Sequence, residues 1–212
     1  MKKLHIFAVI VGLLLLVVGV QPTPKPILVA STVAVAGKVP KIKYDGPIDQ
    51  ENVDAAIKLI EQLNRGNPTA IVLEINSPGG LVDAGFALAK AIEDSSSPVV
   101  CVVDGEADSM AFYILQSCTS RYATRRSTLM FHHVSLMNVS GNARQLRQVS
   151  NVLAVRSRAA IEHVAQRMGV SPDWLENKLD EGDWWLSASD ALKVGVLDDL
   201  VPSVKSVVES IK

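Results

Sequence analysis

Two cysteines, four histidines and no surplus of positive charge narrow what these 212 residues can do. Two cysteines build neither a disulfide framework nor a four-cysteine zinc site. Lysine and arginine number 21 against 22 aspartates and glutamates, so the cationic face that a nucleic-acid partner needs is missing. No lysine lies between Lys90 and Lys178, which leaves the middle of the chain without the base of a Ser–Lys dyad. Internal repeats and low-complexity tracts are absent too, and neither a metal nor a cofactor is expected.

What remains is an ordinary globular composition, 48% apolar and 20% charged, long enough for one domain and one sizeable core. Its start is different. Lys2 and Lys3 precede an apolar run from Ile6 to Val20, which Gln21, Pro22, Pro24 and Pro26 break. A positive flank followed by an apolar stretch is the pattern of an export signal, and the same stretch, if retained, anchors the chain in a membrane. Ala34-Val35-Ala36 before Gly37 offers a small-residue cleavage point. Residues 1–36 are therefore assigned to a signal peptide or anchor with its linker, and residues 37–212 to the functional domain. The expected location is periplasmic or extracellular, with membrane anchoring through residues 6–20.

The domain alternates strand and helix signals. Lys41–Tyr44 reads as an opening strand. Asp49 caps a helix whose apolar residues Val53, Ala56, Ile57, Ile60 and Leu63 recur at helical spacing, and Gly66 stands where a helix end favours a left-handed residue. Ala70–Ile75 and Pro98–Val103 are apolar enough for strands buried on both faces. A Ser77-Pro78-Gly79-Gly80 turn and a helix over Val82–Glu93 lie between them. Asp104-Gly105 leads to another helix from about Ser109, followed by short strands at Arg121–Thr124 and Thr128–Phe131. No Pro or Gly interrupts Asn142–Met168, which predicts one long helix ended by Gly169. Ser171-Pro172 starts the next helix, Ser187 caps a final one, and Gly195 closes it before a Val196–Val201 strand. This order predicts an α/β fold with a mostly parallel sheet and right-handed crossovers.

In such sheets ligands sit beyond the carboxyl ends of the strands. Gly79 and Gly80 follow one such end, and Gly105 and then Ser109 follow the next. Glycines let backbone N–H groups approach a substrate, and a helix N-terminus presents free ones, so the two turns suit an oxyanion hole. Ser109 would be the nucleophile. Its base is sought among His5, His132, His133 and His163. His5 belongs to the export segment, and His163, beside Glu162, is expected on a solvated helix face. That leaves the pair at the end of the Thr128–Phe131 strand, of which alternation lets only one face the site. For a carboxylate to hold the imidazole, Asp180, Glu181, Asp183, Asp190, Asp198 and Asp199 all stay open.

The separated motifs resemble one family. Ile75-Asn76-Ser77-Pro78-Gly79-Gly80 is similar to the Ser-Pro-Gly-Gly turn of ClpP proteases. Gly105-Glu106-Ala107-Asp108-Ser109-Met110 is similar to their Gly-x-Ala-Ala-Ser-Met motif, and Leu129-Met130-Phe131-His132 to the strand that delivers their histidine. Asp183-Trp184-Trp185-Leu186-Ser187-Ala188 and Gly195-Val196-Leu197-Asp198 resemble two later family segments. The likeness runs from about residue 40 to 201, with a looser one to SppA and NfeD membrane peptidases.

The resemblance implies a ClpP/crotonase-like repeated β-β-α superhelical fold with a long handle helix, and a serine endopeptidase acting on unfolded or short polypeptides. It implies Ser109, His132 and Asp183 as the triad, and the N–H groups of Gly80 and Met110 as the oxyanion hole. It further implies a homo-oligomeric ring built on the long helix, and a peptide-pairing segment at 134–141. An ATPase partner is not expected of an exported chain. A catalytically impaired assembly or binding protein and, with less support, a crotonase-type acyl-CoA enzyme are the alternatives. The chain departs from the family at His133 and Val134, which replace a Gln-Pro pair, and at Asp108, which replaces a small apolar residue. Asp108 either opposes the developing oxyanion or points outward without effect. Cys101, on a strand, and Cys118, on the helix running back beside it, are candidates for a disulfide, the alternative being two buried thiols. Trp174, Trp184 and Trp185 are expected in the core or at a subunit interface.

Overall fold

A computed structural model of the chain describes residues 39–136 and 139–211. The export segment, its cleavage point and the middle of the 134–141 stretch lie outside these residues. In chain order the elements are β1 Lys41–Asp45, α1 Gln50–Asn64, β2 Ile71–Ser77, α2 Val82–Glu93, β3 Val99–Asp108, α3 Met110–Gln116 and β4 Ser120–Thr124. They continue as β5 Thr128–Phe131, α4 Ala143–Met168, α5 Pro172–Asp180, β6 Trp184–Ser187, α6 Ala188–Lys193, β7 Asp199–Val201 and α7 Val204–Ser210.

The seven strands form one sheet in the order β1-β2-β3-β4-β7, with β5 joining β3 and β6 joining β5. Every pairing is parallel except β5 with β6. This is the mostly parallel α/β sheet expected from the order of the elements.

The position of the site follows from a fork in β3. Val100–Val103 pair with β4, but Glu106–Asp108 pair with β5. Asp104-Gly105 reads as a turn into the next helix. The structure instead keeps residues 104–108 extended, with Gly105 at φ +131 as the kink. Two tertiary contacts fasten the fork. Glu106 N–H donates to Asn76 Oδ1 at 3.1 Å, and Ser127 Oγ donates to the Val103 carbonyl at 2.9 Å. A side chain at residue 105 would collide with the Asn76 amide, so the glycine is required there.

Both faces of the sheet are covered. Leu73, Cys101 and Val103 face a core completed by Val53, Ala56 and Ile60 of α1, Leu88 of α2, Phe112 and Leu115 of α3, and Ile161 and Val164 of α4. Val72, Val100 and Val102 face the other side, under Val204 and Val207 of α7. The helix capped by Ser187 is therefore not the final one. α7 escaped notice because it is short, yet its cap is complete: Ser203 accepts from Ser206 N–H and Ser206 returns the contact.

Local rules hold at most other ends. Asp49 accepts from Asn52 N–H, Asn142 and Gln145 form a capping box, and Gly169 closes α4 in the left-handed region at φ +75. Gly66 does not play the part expected of it. Its N–H donates to the Leu63 carbonyl, and the left-handed residue is Asn67 at φ +47. Among the described residues no helix is long and apolar enough to cross a membrane.

Candidate active site

Ser109 stands where β3 ends and α3 begins, with φ +54 and ψ -116. A non-glycine residue in that region is strained, and here the strain turns the side chain out of a sharp strand-to-helix elbow. The elbow is held because Ser109 N–H donates to the Met130 carbonyl at 2.8 Å, a contact that belongs to the β3–β5 fork. The same fork brings the end of β5 beside the elbow. His132 Nε2 lies 2.8 Å from Ser109 Oγ. Alternation sends the neighbouring His133 elsewhere, to Ser157 of α4 at 3.0 Å and Asp180 of α5 at 3.2 Å.

The glycine turn packs against this elbow. A Cβ on Gly79 would stand 2.5 Å from the Asp108 carbonyl oxygen and 2.7 Å from Ser109 Cβ, so only glycine permits the approach. A parallel bridge between Ile48 and Gly80 uses the Gly79 carbonyl and the Leu81 N–H, both at 2.7 Å from Ile48 backbone atoms. The Gly80 N–H itself stays outside that bridge. Met110 is the first residue of α3, so its N–H has no acceptor within the helix. Gly80, Val82, Ser109, Met110, Phe131 and His132 line a common cleft.

The six carboxylates left open by the sequence separate here. Asp198 pairs with Arg121, and Arg121 holds it below the usual carboxylate range against the opposing effect of burial. Asp190 accepts from Lys193 and Ser187, Glu181 pairs with Lys178, Asp199 accepts from Leu200 N–H, and Asp180 meets His133. Asp183 is exposed and precedes β6. The β5–β6 register ends at Phe131 with Trp184, and one further step sets His132 against Asp183. Among the described residues no hydrogen bond or ion pair joins those two side chains.

The Clp protease family model matches residues 29–204. The ATP-dependent Clp protease proteolytic subunit 1 of Chlamydia trachomatis serovar D is 35% identical over 167 residues, covering 76% of this chain and 85% of that protein. The protein of the same name from Protochlamydia amoebophila is 37% identical over 153 residues, covering 70% and 72%. The chain belongs to the Clp protease family.

Asp108, next to Ser109, does not point outward to solvent. It is 5% exposed, and its Oδ1 has no hydrogen-bond partner among the described residues. Burial, with help from the charge of Glu106, pushes its carboxyl up to about 6.

Two further expectations change. His163 is not on a solvated face. Its ring lies 4.7 Å from that of Tyr113 and its Nε2 is 3.2 Å from Ser117 Oγ, and burial lowers its basicity. Trp174 and Trp184 meet edge to face, and Trp185, 59% exposed, lies outside the core, which leaves the subunit-interface half of its expectation open.

Cys101 and Cys118 are joined by a disulfide, with Cα atoms 5.9 Å apart, so the bond ties β3 to the end of α3 on either side of the nucleophile elbow. The contacts that residue types alone did not reveal are those of Asn76, Ser127 and His133. Asn76 lay inside a recognised motif, but nothing in sequence links Ser157 or Asp180 to His133.

Proposed function

We propose that this Clp protease relative is a serine endopeptidase that hydrolyses unfolded or short polypeptides through an acyl-enzyme. The reading rests above all on one observation, the 2.8 Å approach of His132 Nε2 to Ser109 Oγ on a φ +54 elbow. In this scheme His132 takes the hydroxyl proton as Ser109 Oγ attacks the substrate carbonyl. The N–H groups of Gly80 and Met110 receive the developing oxyanion, each contributing roughly 3–4 kcal/mol. The imidazolium then protonates the leaving amine, and water, activated by the same imidazole, releases the acyl group. Asp183 is assigned to hold the histidine, supported by the register that leads to it.

The proposal extends to assembly and place. On α4 the buried residues all lie from Ala160 onward, while Leu146, Val152 and Val155 nearer its start are 43%, 53% and 72% exposed. An unpartnered apolar stretch on a long helix supports a homo-oligomeric ring of the kind the family resemblance implies. The segment around residues 134–141 is assigned to pair with extended peptide. The apolar run at 6–20 supports export, with or without anchoring, and a buried disulfide is consistent with an oxidising compartment. The relatives are named as ATP-dependent subunits; an exported chain would act away from ATP, so no ATPase is included here.

The test is covalent. The purified protein, treated with a fluorophosphonate, is expected to gain one adduct on Ser109, located by peptide mass spectrometry. A folded wild type that takes up no label sinks the peptidase and leaves a Clp-like assembly or binding protein, the reading that the buried Asp108 would then favour.

A further inference from the structure

Two imidazoles follow β5 and take different partners: His132 meets Ser109, while His133 turns to α4 and α5. His133 Nδ1 lies 3.0 Å from Ser157 Oγ on α4, and its Nε2 lies 3.2 Å from Asp180 Oδ1, on the last residue of α5. One histidine therefore joins three elements. Only Glu181 and Gly182 separate Asp180 from Asp183.

Within that short turn the ties are local: Gly182 N–H donates to the Leu179 carbonyl at 3.1 Å and Glu181 pairs with Lys178 at 3.5 Å, while Gly182 sits at φ +124 with open space where a Cβ would stand. The contact of Asp180 with His133 is the one that reaches β5. Asp183 is exposed and, among the described residues, makes no hydrogen bond to His132. Yet the β5–β6 register, if carried one pair past Phe131 and Trp184, brings the two face to face. What holds the turn therefore bears on where Asp183 stands relative to His132.

Asp180 is also a poor choice for α5 on local grounds. A carboxylate at a helix C-terminus faces the negative end of the dipole. No lysine or arginine pairs with it among the described residues; its ion-pair partner is His133. A residue that is unfavourable for its own helix but matched to a distant donor is a sign of a functional requirement.

We propose that His133 is a positioning residue: through Asp180 it helps hold the Glu181–Gly182 turn and so keeps Asp183 in register opposite His132. The proposal rests on the peptidase reading above. In the neutral ring, Nε2–H donates to Asp180 and Nδ1 accepts from the Ser157 hydroxyl, so one tautomer serves both contacts. A glutamine side chain carries the same pair of functions, an amide N–H donor and a carbonyl acceptor, whereas alanine carries neither.

The test compares wild type, His133→Ala, His133→Gln, Asp180→Ala and the double alanine variant of the full chain. Three quantities are read: the fluorophosphonate labelling rate of Ser109, kcat and KM on a short peptide, and the pH–rate profile. His133→Ala and Asp180→Ala should each lower kcat and the labelling rate about 10-fold or more, as expected when a reacting group is displaced by about an ångström. KM should stay within about twofold, the acid limb of the profile should move, and the double variant should be no worse than either single one. The unfolding midpoint and oligomer size should not change, because the contact is largely exposed. His133→Gln should recover most of the rate.

A His133→Ala protein that labels at the wild-type rate overturns the proposal. So does a glutamine variant as slow as alanine, or a loss of rate that only follows a loss of stability. Failure of the wild type to label is a different result, visible before any variant is made, and removes the peptidase reading together with this one.

Discussion

Ser109 Oγ and His132 Nε2 meet at 2.8 Å because one strand, β3, changes partner halfway along its length. The hydroxyl comes from the end of β3 and the imidazole from the end of β5, so the fork itself assembles the pair. Ser109→Ala should abolish peptide hydrolysis, a fall of roughly 1,000-fold or more, while elution volume in size-exclusion chromatography stays that of the wild type. Peptide turnover near the wild-type rate would refute the assignment of the nucleophile.

Gly79→Ala should act on the same pair from outside it. Its new methyl would stand 2.5 Å from the Asp108 carbonyl oxygen and 2.7 Å from Ser109 Cβ, so the elbow must shift. The expected result is a loss of roughly 100-fold in kcat/KM. Circular dichroism of the variant should match the wild type, and a crystal structure should show Ser109 Oγ moved away from His132.

Asp108 gives a prediction with a definite sign. Its folded-state carboxyl is pushed up to about 6, from an unfolded value near 4, chiefly by burial and secondarily by Glu106. Between those values the folded chain binds the extra proton, so stability falls as pH rises through that window. The full effect is roughly 3 kcal/mol at most. The denaturation midpoint of the wild type should decline from pH 4 to pH 7 more steeply than that of Asp108→Ala. Identical slopes would show that Asp108 does not carry the effect. Activity at pH 7 should be preserved or increased by the substitution; a large loss would give Asp108 a positive role.

The parts of the molecule legible in the sequence are those governed by local chemistry. Asp49, Ser171 and Ser187 announced their helices because a capping side chain must sit next to what it caps. The Ser-Pro-Gly-Gly turn and the strand before His132 were legible because their spacing carries the resemblance. What escaped depended on distant partners. Asp104-Gly105 looks like a turn, yet residues 104–108 are held extended by Asn76 and by β5. β6 is a strand only because β5 lies beside it, and α7 shows its purpose only against Val72, Val100 and Val102. The ties of His133 cross from β5 to α4 and α5, a pairing that no local pattern encodes.

Arg121 predicts the cost of breaking a buried network. Its guanidinium is 7% exposed and donates to Asp198, Gln116 Oε1 and the carbonyls of Arg167 and Gly195. Arg121→Ala would strand those acceptors and should lower unfolding free energy by about 3 kcal/mol, measured by urea titration. A change below about 1 kcal/mol would mean that water replaces the guanidinium without loss.

The disulfide spans a separation of 17 residues with Ser109 inside the loop. Closing a loop of that length contributes about 3 kcal/mol by restricting the unfolded chain. The Cys101→Ala/Cys118→Ala double variant should show a correspondingly lower urea midpoint, and a reductant added after unfolding should lower that of the wild type to match. Equal midpoints with and without the bond would contradict this.

Cys101 and Cys118 are 0% and 1% exposed, which fixes an order of events. Once the sheet has closed over them, neither oxidant nor exchange partner can reach sulfur without opening the centre of the domain. The bridge must be laid down while the polypeptide is still maturing, and after that the finished molecule is indifferent to the thiol poise around it. The surroundings in which this chain first collapses therefore leave a permanent record in the segment that carries Ser109.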